Sequence, residues 1–384
     1  MRSLQIGLLS LLLSACAAAP TLPPAPGDPL FADALFRAPG QDVDPGSVFA
    51  VTEAMKRYLA TEVGIATTPR GRQRALVDAI RRPDALKLEY DATFTRNAAQ
   101  AFEERTGNCL SLVIMTAALA RELGVAVRYQ RVHVDDTLSR TGNIQLFAGH
   151  VNLTLGRRPP EVGSHIDDGE QYTIDFLPPP DIRGLRWKEI GENTILAMYL
   201  NNRAVEAVAA GRIDDAYWFA RESVRQAPDF AAAYNTLGVI YGRKRRADEA
   251  AIAFDRALAH QPNNTRTMAN LIPVLESLGR VREAAVLQAR LKQLEPEPPF
   301  SLFEKGIAAM QAGDYETARG YFAREVERNP DYHEFHYWLA AALTPLGRDE
   351  EARRHLALAL RNSVTRQDTD RYAGKLARLK QAAR

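Results

Sequence analysis

The stretch Tyr234-Asn235-Thr236-Leu237-Gly238-Val239-Ile240-Tyr241 decides the fold of the C-terminal half, because its pattern recurs along the chain. Ala250, Phe254 and Pro262 follow it at spacings typical of a helix, a turn and a second helix. A period of 34 residues relates two larger sets of positions, Pro228, Pro262, Pro296 and Pro330, and Ala216, Ala250, Ala284, Ala318 and Ala352. This period predicts tandem pairs of helices, in which small residues let helices approach and each proline ends one unit.

These positions resemble the tetratricopeptide repeat, whose units stack into a superhelix. Five units are predicted over residues 197–366, with the first and third least regular, and residues 367–384 are expected to form a C-terminal capping helix. The resemblance implies that the repeats bind protein or peptide partners on their concave face. A rigid spacer or a dimerisation surface is the alternative interpretation.

The stretch Gly107-Asn108-Cys109-Leu110-Ser111-Leu112-Val113-Ile114-Met115 places a cysteine at the start of an apolar helix. The apolar spacing predicts a helix from Cys109 to Leu123, with Asn108 as its N-cap and Gly124 at its end. The positive end of a helix dipole favours the thiolate, which is the nucleophilic form of cysteine. The alternative is a small buried residue in a core helix.

Residues 1–15 have the features of a lipoprotein signal peptide, with Arg2, a short apolar run and Leu13-Ser14-Ala15-Cys16. This ending resembles the bacterial lipobox, which implies that Cys16 carries lipid and anchors the chain to a membrane. Ala17 follows the cysteine, which by resemblance to Gram-negative sorting patterns predicts the periplasmic face of the outer membrane. An ordinary secretory signal is the alternative. Since the chain has 2 cysteines, lipid on Cys16 leaves Cys109 without a disulfide partner.

Residues 16–46 are rich in proline and alanine and are expected to form an extended linker from the lipid anchor. Part of this linker, Leu30 to Phe36, is expected to dock on the domain that follows it.

Residues 47–190 are predicted to form an α+β domain, because helices come first and strands follow without intervening helices. Ser47 is the predicted N-cap of a helix with Val51, Met55, Leu59 and Val63 on its apolar face. Two further helices are expected before Gly107, at Arg70 to Arg81 and Asn97 to Arg105. Strands are predicted at Val125 to Val134, Gln145 to Leu155 and Tyr172 to Leu177.

Cys109, His150 and Asp175 follow one another along this domain in an order that suits a thiol enzyme, as nucleophile, base and orienting acid. His150 and Asn152 are expected to share one face of their strand. A structural histidine and an aspartate that holds the following proline turn are the alternatives.

Residues 90 to 180 resemble the transglutaminase-like superfamily, a papain-related fold. The matching segments are Gly107-Asn108-Cys109-Leu110-Ser111, residues 118–125, Val127-Arg128-Tyr129, Gly149-His150-Val151-Asn152 and Tyr172-Thr173-Ile174-Asp175-Phe176. The resemblance implies a catalytic triad of Cys109, His150 and Asp175, with the backbone N–H of Cys109 as one oxyanion donor. Asn108 and Asn152 are candidates for oxyanion or positioning roles. Many family members have an aromatic residue at the position of Asn152. The side of the active site that would receive the acyl acceptor is therefore expected to differ from the family pattern.

The charge balance argues against nucleic acid as a partner, since 49 basic and 47 acidic residues give a net charge of +2. Two groups of histidines and aspartates could suggest a metal site, but neither has the paired spacing of zinc ligands, so we interpret them as charged loop residues. They are His133, Asp135, Asp136, His165, Asp167 and Asp168. The sequence therefore predicts neither a metal nor another cofactor.

The sequence favours a membrane-anchored periplasmic thiol enzyme in which Cys109 attacks a peptide or glutamine amide and forms a thioester. Water or an amine then accepts the acyl group, and hydrolysis is preferred because water is the default acceptor. The alternative is a non-enzymatic envelope scaffold that acts through its tetratricopeptide repeats.

Overall fold

The computed structural model describes residues 28–64, 68–82, 86–141, 144–156, 171–176 and 186–382. The predicted signal peptide and Cys16 lie outside these residues. Within the described ranges, an α+β region that contains Cys109 precedes a long series of helices.

The helix that carries Cys109 is confirmed in its position and capping. The described part of the α+β region has four α-helices, α1 (Glu53–Glu62), α2 (Pro69–Arg81), α3 (Ala98–Glu104) and α4 (Cys109–Glu122). The Asn108 side chain accepts a hydrogen bond from the Ser111 backbone N–H at 2.9 Å, which fixes the start of α4. Gly124 follows the end of α4 with φ of +68°, a conformation that glycine adopts without strain. Twelve of the 14 residues in α4 are buried, so this helix is the centre of the core.

The prediction that Ser47 caps the first helix is wrong. Ser47 ends a short 3₁₀ turn, and the side chain of Thr52 accepts a hydrogen bond from the Met55 backbone N–H at the start of α1. Serine and threonine have similar capping preference, so the sequence alone did not separate them. Met55, Leu59 and Val63 are buried as predicted.

A four-stranded antiparallel sheet packs against α4, with strand order β5-β4-β3-β6. Its strands are β3 (Val127–Thr141), β4 (Ile144–Leu155), β5 (Tyr172–Ile174) and β6 (Trp187–Ile190). Three were predicted, although β5 ends before the expected Leu177. Strand β6 was not predicted from the sequence, because three of its four residues are exposed and show no alternation. A short parallel pair, β1 (Glu89–Tyr90) with β2 (Thr106–Gly107), was not predicted either.

Ten helices then pack as successive pairs, and an eleventh follows them. They are α5 (Glu192–Ala209), α6 (Ile213–Gln226), α7 (Ala231–Arg243), α8 (Ala247–His260), α9 (Thr265–Ser277), α10 (Val281–Leu294), α11 (Ser301–Gln311), α12 (Tyr315–Arg328), α13 (His333–Leu343), α14 (Asp349–Arg361) and α15 (Arg366–Ala382). The five alanines of the 34-residue period are all buried on the second helix of a pair. One hydrophobic core extends from residue 30 to α10, and a second joins α11 to α15.

Leu30 and Phe36 pack on the repeats, contrary to the expectation that residues 30–36 dock on the α+β domain that follows them. Phe36 stacks on Tyr217 of α6, with ring centroids 3.8 Å apart. The Tyr241 hydroxyl donates a hydrogen bond to the Leu30 carbonyl at 2.7 Å. The aromatic partners lie 181 residues from Phe36 and 211 residues from Leu30, so no local pattern could identify them.

In the part of the chain that the structure describes, no helix combines the length and apolar character that a membrane span needs.

Candidate functional site

The sheet register brings His150 and Asp175 together. Leu153 of β4 pairs with Ile174 of β5, so Asp175 lies opposite the segment of β4 that carries Asn152 and His150. The Nε2–H of His150 donates to both carboxylate oxygens of Asp175, each at 2.8 Å. The side chains of His150 and Asp175 are 4% and 7% exposed, so water scarcely weakens this contact.

Cys109 lies on the other side of the imidazole. Its side chain is hydrogen-bonded to His150, and because Nε2 is occupied by Asp175, Nδ1 is the ring nitrogen left to face the sulfur. Burial lowers the pKa of His150, but hydrogen bonds to Asp175 and Cys109 outweigh it and raise that pKa from 6.5 to about 9. His150 is therefore placed within hydrogen-bond reach of both the Cys109 thiol and the Asp175 carboxylate. The structure thus brings the three predicted residues together, with His150 in contact with both Cys109 and Asp175.

Asn152 and Asn108 both hold neighbouring groups with their amide nitrogens. The Nδ2 of Asn152 donates to Asp175 Oδ2 at 3.1 Å. The Nδ2 of Asn108 donates to Thr95 Oγ1 at 2.9 Å, while its Oδ1 accepts from the N–H and the hydroxyl of Ser111. In this geometry each amide group is engaged in positioning a neighbour.

Tyr90 is a site residue that the sequence analysis left unassigned. Residue Tyr90 of β1 lies beside Gly107 of β2, two residues before Cys109. The backbone N–H of Cys109 donates a hydrogen bond to the Tyr90 hydroxyl, and burial raises the pKa of Tyr90, which keeps its proton. The predicted oxyanion donor therefore faces a neutral hydroxyl in this structure.

Thr95 connects the cysteine helix to the first repeat helix. Its Oγ1 accepts from Asn108 and, at 3.2 Å, from Asn202 of α5. Its backbone N–H donates to Glu206 of α5 at 2.7 Å, and burial raises the pKa of that carboxyl. Thr95 and Glu206 are 111 residues apart, which explains why sequence patterns did not reveal the connection.

In two of the repeats, a phenylalanine of the second helix packs against a glycine of the first helix. A Cβ on Gly238 would lie 2.6 Å from the Phe254 ring, and one on Gly306 would lie 2.5 Å from the Phe322 ring. These two glycine–phenylalanine pairs are two periods apart in the chain. Glycine is required there because the phenylalanine ring occupies the space of a side chain.

Family models described as tetratricopeptide repeat match two parts of the chain, residues 231–264 and residues 303–364. Neither match reaches the α+β region, so its resemblance to the transglutaminase-like superfamily stays a prediction. A search of curated proteins finds no match to the chain.

Solved structures similar to the chain include YrrB, a TPR protein with an unusual peptide-binding site, at 22% identity and a TM-score of 0.26. That match covers 47% of this chain and 92% of YrrB. Pseudomonas aeruginosa pilF matches at 19% identity and a TM-score of 0.28, over 48% of this chain and 84% of its own. MamA of MSR-1 matches at 22% identity and a TM-score of 0.24, and the match covers 44% of this chain and 97% of MamA. From the family models and the buried 34-residue period, the C-terminal helical region carries tetratricopeptide repeats, a fold that generally mediates protein or peptide interactions.

Proposed function

We propose that this chain is a thiol enzyme of the transglutaminase-like type whose repeats dock the protein on which it acts. The observation that carries the proposal is the placement of His150 between Cys109 and Asp175, with the imidazole and the carboxylate almost fully buried. A buried imidazole that bridges a thiol and a carboxylate is the arrangement of an activated cysteine nucleophile.

The proposed reaction is acyl transfer through a thioester. The Cys109 thiolate attacks an amide carbon, a sulfur–carbon bond forms, and the carbon–nitrogen bond breaks as His150 gives its proton to the leaving nitrogen. Water or an amine then attacks the thioester carbon, the thiolate leaves, and His150 takes up the proton of the acceptor. Asp175 keeps the imidazole oriented in both steps.

The negative oxygen of each tetrahedral intermediate needs hydrogen-bond donors. The Cys109 backbone N–H and the neutral Tyr90 hydroxyl lie together at the nucleophile, and we propose that both serve the oxyanion once substrate displaces their mutual bond. Asn108 and Asn152 act as positioning residues, for the start of α4 and for Asp175 respectively.

Ammonia release from a glutamine peptide tests the proposal. We expect release by the wild-type chain and a loss of at least about 1,000-fold in Cys109→Ala, because the nucleophile is removed. The exposed substitution Lys56→Gln in α1 is the matched control and leaves the rate unchanged. A Cys109→Ala variant that retains wild-type turnover excludes the thioester mechanism.

A second candidate function is a non-enzymatic scaffold, and the tetratricopeptide repeats by themselves favour it. On this account Cys109→Ala and His150→Ala variants complement a deletion strain. Substitutions on exposed apolar positions of α10, such as Val281→Asp and Val286→Asp, fail to complement. Loss of function from Cys109→Ser alone argues against the scaffold.

We also propose that lipid on Cys16 anchors the chain to the periplasmic face of the outer membrane, with residues 17–27 as the start of the linker. Metabolic labelling with a fatty-acid probe tests this. Label is expected in the wild type and absent from Cys16→Ala. Label that persists in the variant contradicts lipidation at this residue.

A further inference from the structure

A cavity of about 480 Å³ lies next to Asp175, between the end of α2, the segment that precedes β1 and the end of β5. This volume falls within the range of small-ligand and side-chain pockets, roughly 300–1,000 Å³. Its apolar wall includes Ile174, which is buried, and Phe176, which is half-buried. Neither the proposed mechanism nor the repeats make use of this space.

Charged side chains also line the cavity, and their partners decide its net charge. Arg82 forms an ion pair with Glu62, and Asp175 is bonded to His150, so both are compensated. Arg81 and Lys87 are exposed and, among the residues that the structure describes, neither forms an ion pair. Glu89 is the one remaining acid among the lining residues that the structure describes. The uncompensated charge is therefore positive, which suits an anionic group.

The cavity lies close to the reacting groups. It shares Asp175 with the proposed triad, and its wall at Leu88 and Glu89 continues directly into Tyr90, whose hydroxyl meets the Cys109 backbone N–H. A side chain held in the cavity would thus belong to a residue near the attacked amide.

We infer that the cavity binds an acidic side chain of a peptide substrate, with Arg81 and Lys87 as its cationic partners and Ile174 and Phe176 against its methylene groups. The inference rests on the proposed function, because it assigns the substrate class of the same site. Acidic residues flanking the attacked glutamine define this class. Glu89 limits the affinity by repulsion.

Two synthetic peptides with one glutamine each test the assignment, acetyl-Gly-Glu-Gln-Glu-Gly-amide and its neutral match acetyl-Gly-Ala-Gln-Ala-Gly-amide. The full chain in detergent is expected to release ammonia from the acidic peptide with about tenfold higher kcat/KM, as two ion pairs of moderate strength allow. The double variant Arg81→Gln/Lys87→Gln reduces this preference to about twofold or less. Glu89→Gln, in contrast, increases the preference for the acidic peptide by about twofold, because it removes a repulsive charge.

Arg74→Gln is the matched control, because Arg74 is an exposed arginine of α2 that does not line the cavity. A preference that survives the double variant, or one that Arg74→Gln abolishes equally, overturns the assignment. High salt is expected to reduce the preference, since the partners are exposed and a 1 M salt solution screens charges beyond roughly 3 Å.

A binding measurement separates failure of this assignment from failure of the proposed function. Calorimetric titration of Cys109→Ala with each peptide requires no chemistry. Binding of the acidic peptide that is weakened by Arg81→Gln/Lys87→Gln supports the cavity even if the wild type releases no ammonia. Equal binding of both peptides to Cys109→Ala, or binding of neither, overturns it.

Discussion

The α+β region and the repeats both contain part-buried hydrogen bonds made by threonine and asparagine side chains, but these bonds connect different parts of the fold. In the repeats, Thr236 donates to Asn201 at 2.7 Å across a separation of 35 residues, and Asn270 donates to Asn235 across the same separation. These contacts recur with the helix pairs. In the α+β region, Thr95 joins Asn108 and Asn202, which come from elements more than 90 residues apart. In the repeats such contacts therefore join successive helix pairs, whereas Thr95 connects the N-cap of the Cys109 helix to α5.

The two regions also shift the pKa of a histidine in opposite directions, so each is expected to lose stability in a different pH range. Hydrogen bonds to Asp175 and Cys109 outweigh burial and raise the pKa of His150 from 6.5 to about 9. The folded state therefore holds this proton more tightly than the unfolded state. The resulting stabilisation is complete below about pH 6.5 and is lost as the pH rises through about 9, with an upper limit of about 3 kcal/mol.

Urea unfolding at pH 6.5 and pH 9.5 measures the effect. We expect the wild type to lose more unfolding free energy over this interval than His150→Gln, which has no titrating ring. An identical loss in both proteins contradicts the assigned cause.

Substitution of a closely packed glycine in the repeats is expected to have a smaller effect, which is confined to the free energy of unfolding. Gly238→Ala places a methyl group 2.6 Å from the Phe254 ring, and the shift that follows costs about 2 kcal/mol in unfolding free energy. Gly242→Ala is the control in the same helix, because nothing lies within 4 Å of its Cβ, and the better helix propensity of alanine stabilises it by up to about 1 kcal/mol. Denaturant unfolding of both variants compares them. Equal destabilisation would show that packing against Phe254 is not the cause.

The threonine pair tests the comparison most specifically. Thr95→Val and Thr236→Val each remove a hydroxyl from a buried hydrogen bond, and each is expected to cost about 1 kcal/mol in stability. Only Thr95→Val is expected to slow alkylation of Cys109, by a few fold, because Thr95 holds the N-cap of α4. Slowing by Thr236→Val to the same extent would mean that the two networks are not separate.

His355 in the repeats gives the opposite pH dependence. Burial and the neighbouring His336 lower the pKa of His355 from 6.5 to about 4. The stability that depends on its neutral ring is present above about pH 6.5 and is lost as the pH falls toward 4. Thermal unfolding should show a lower Tm at pH 4.5 than at pH 7 in the wild type, and a smaller difference in His355→Gln. An unchanged difference contradicts the role of this ring.

The sequence predicted the features that depend on local pattern. The period of the buried alanines identified the repeats, the apolar spacing identified α4 with Asn108 as its cap, and strand alternation placed His150 and Asn152 on one face. The capping of α1 was misassigned because Ser47 and Thr52 have the same chemistry. Contacts between distant segments were missed, such as Tyr90 with Cys109 and Thr95 with Glu206, because their partners are specified by the folded topology and not by spacing. The docking of Leu30 and Phe36 on the repeats is another contact between distant segments that sequence spacing does not specify.

The central claim is that His150 activates Cys109, and the iodoacetamide alkylation rate of Cys109 at pH 6 tests it most directly. The modified peptide is identified by mass spectrometry, and wild type is compared with His150→Gln. An ordinary cysteine is only about 0.3% thiolate at this pH, so loss of the imidazolium should slow alkylation by about 100-fold. Equal rates in the two proteins would contradict the claim and leave the repeats as the part of the chain that defines its function.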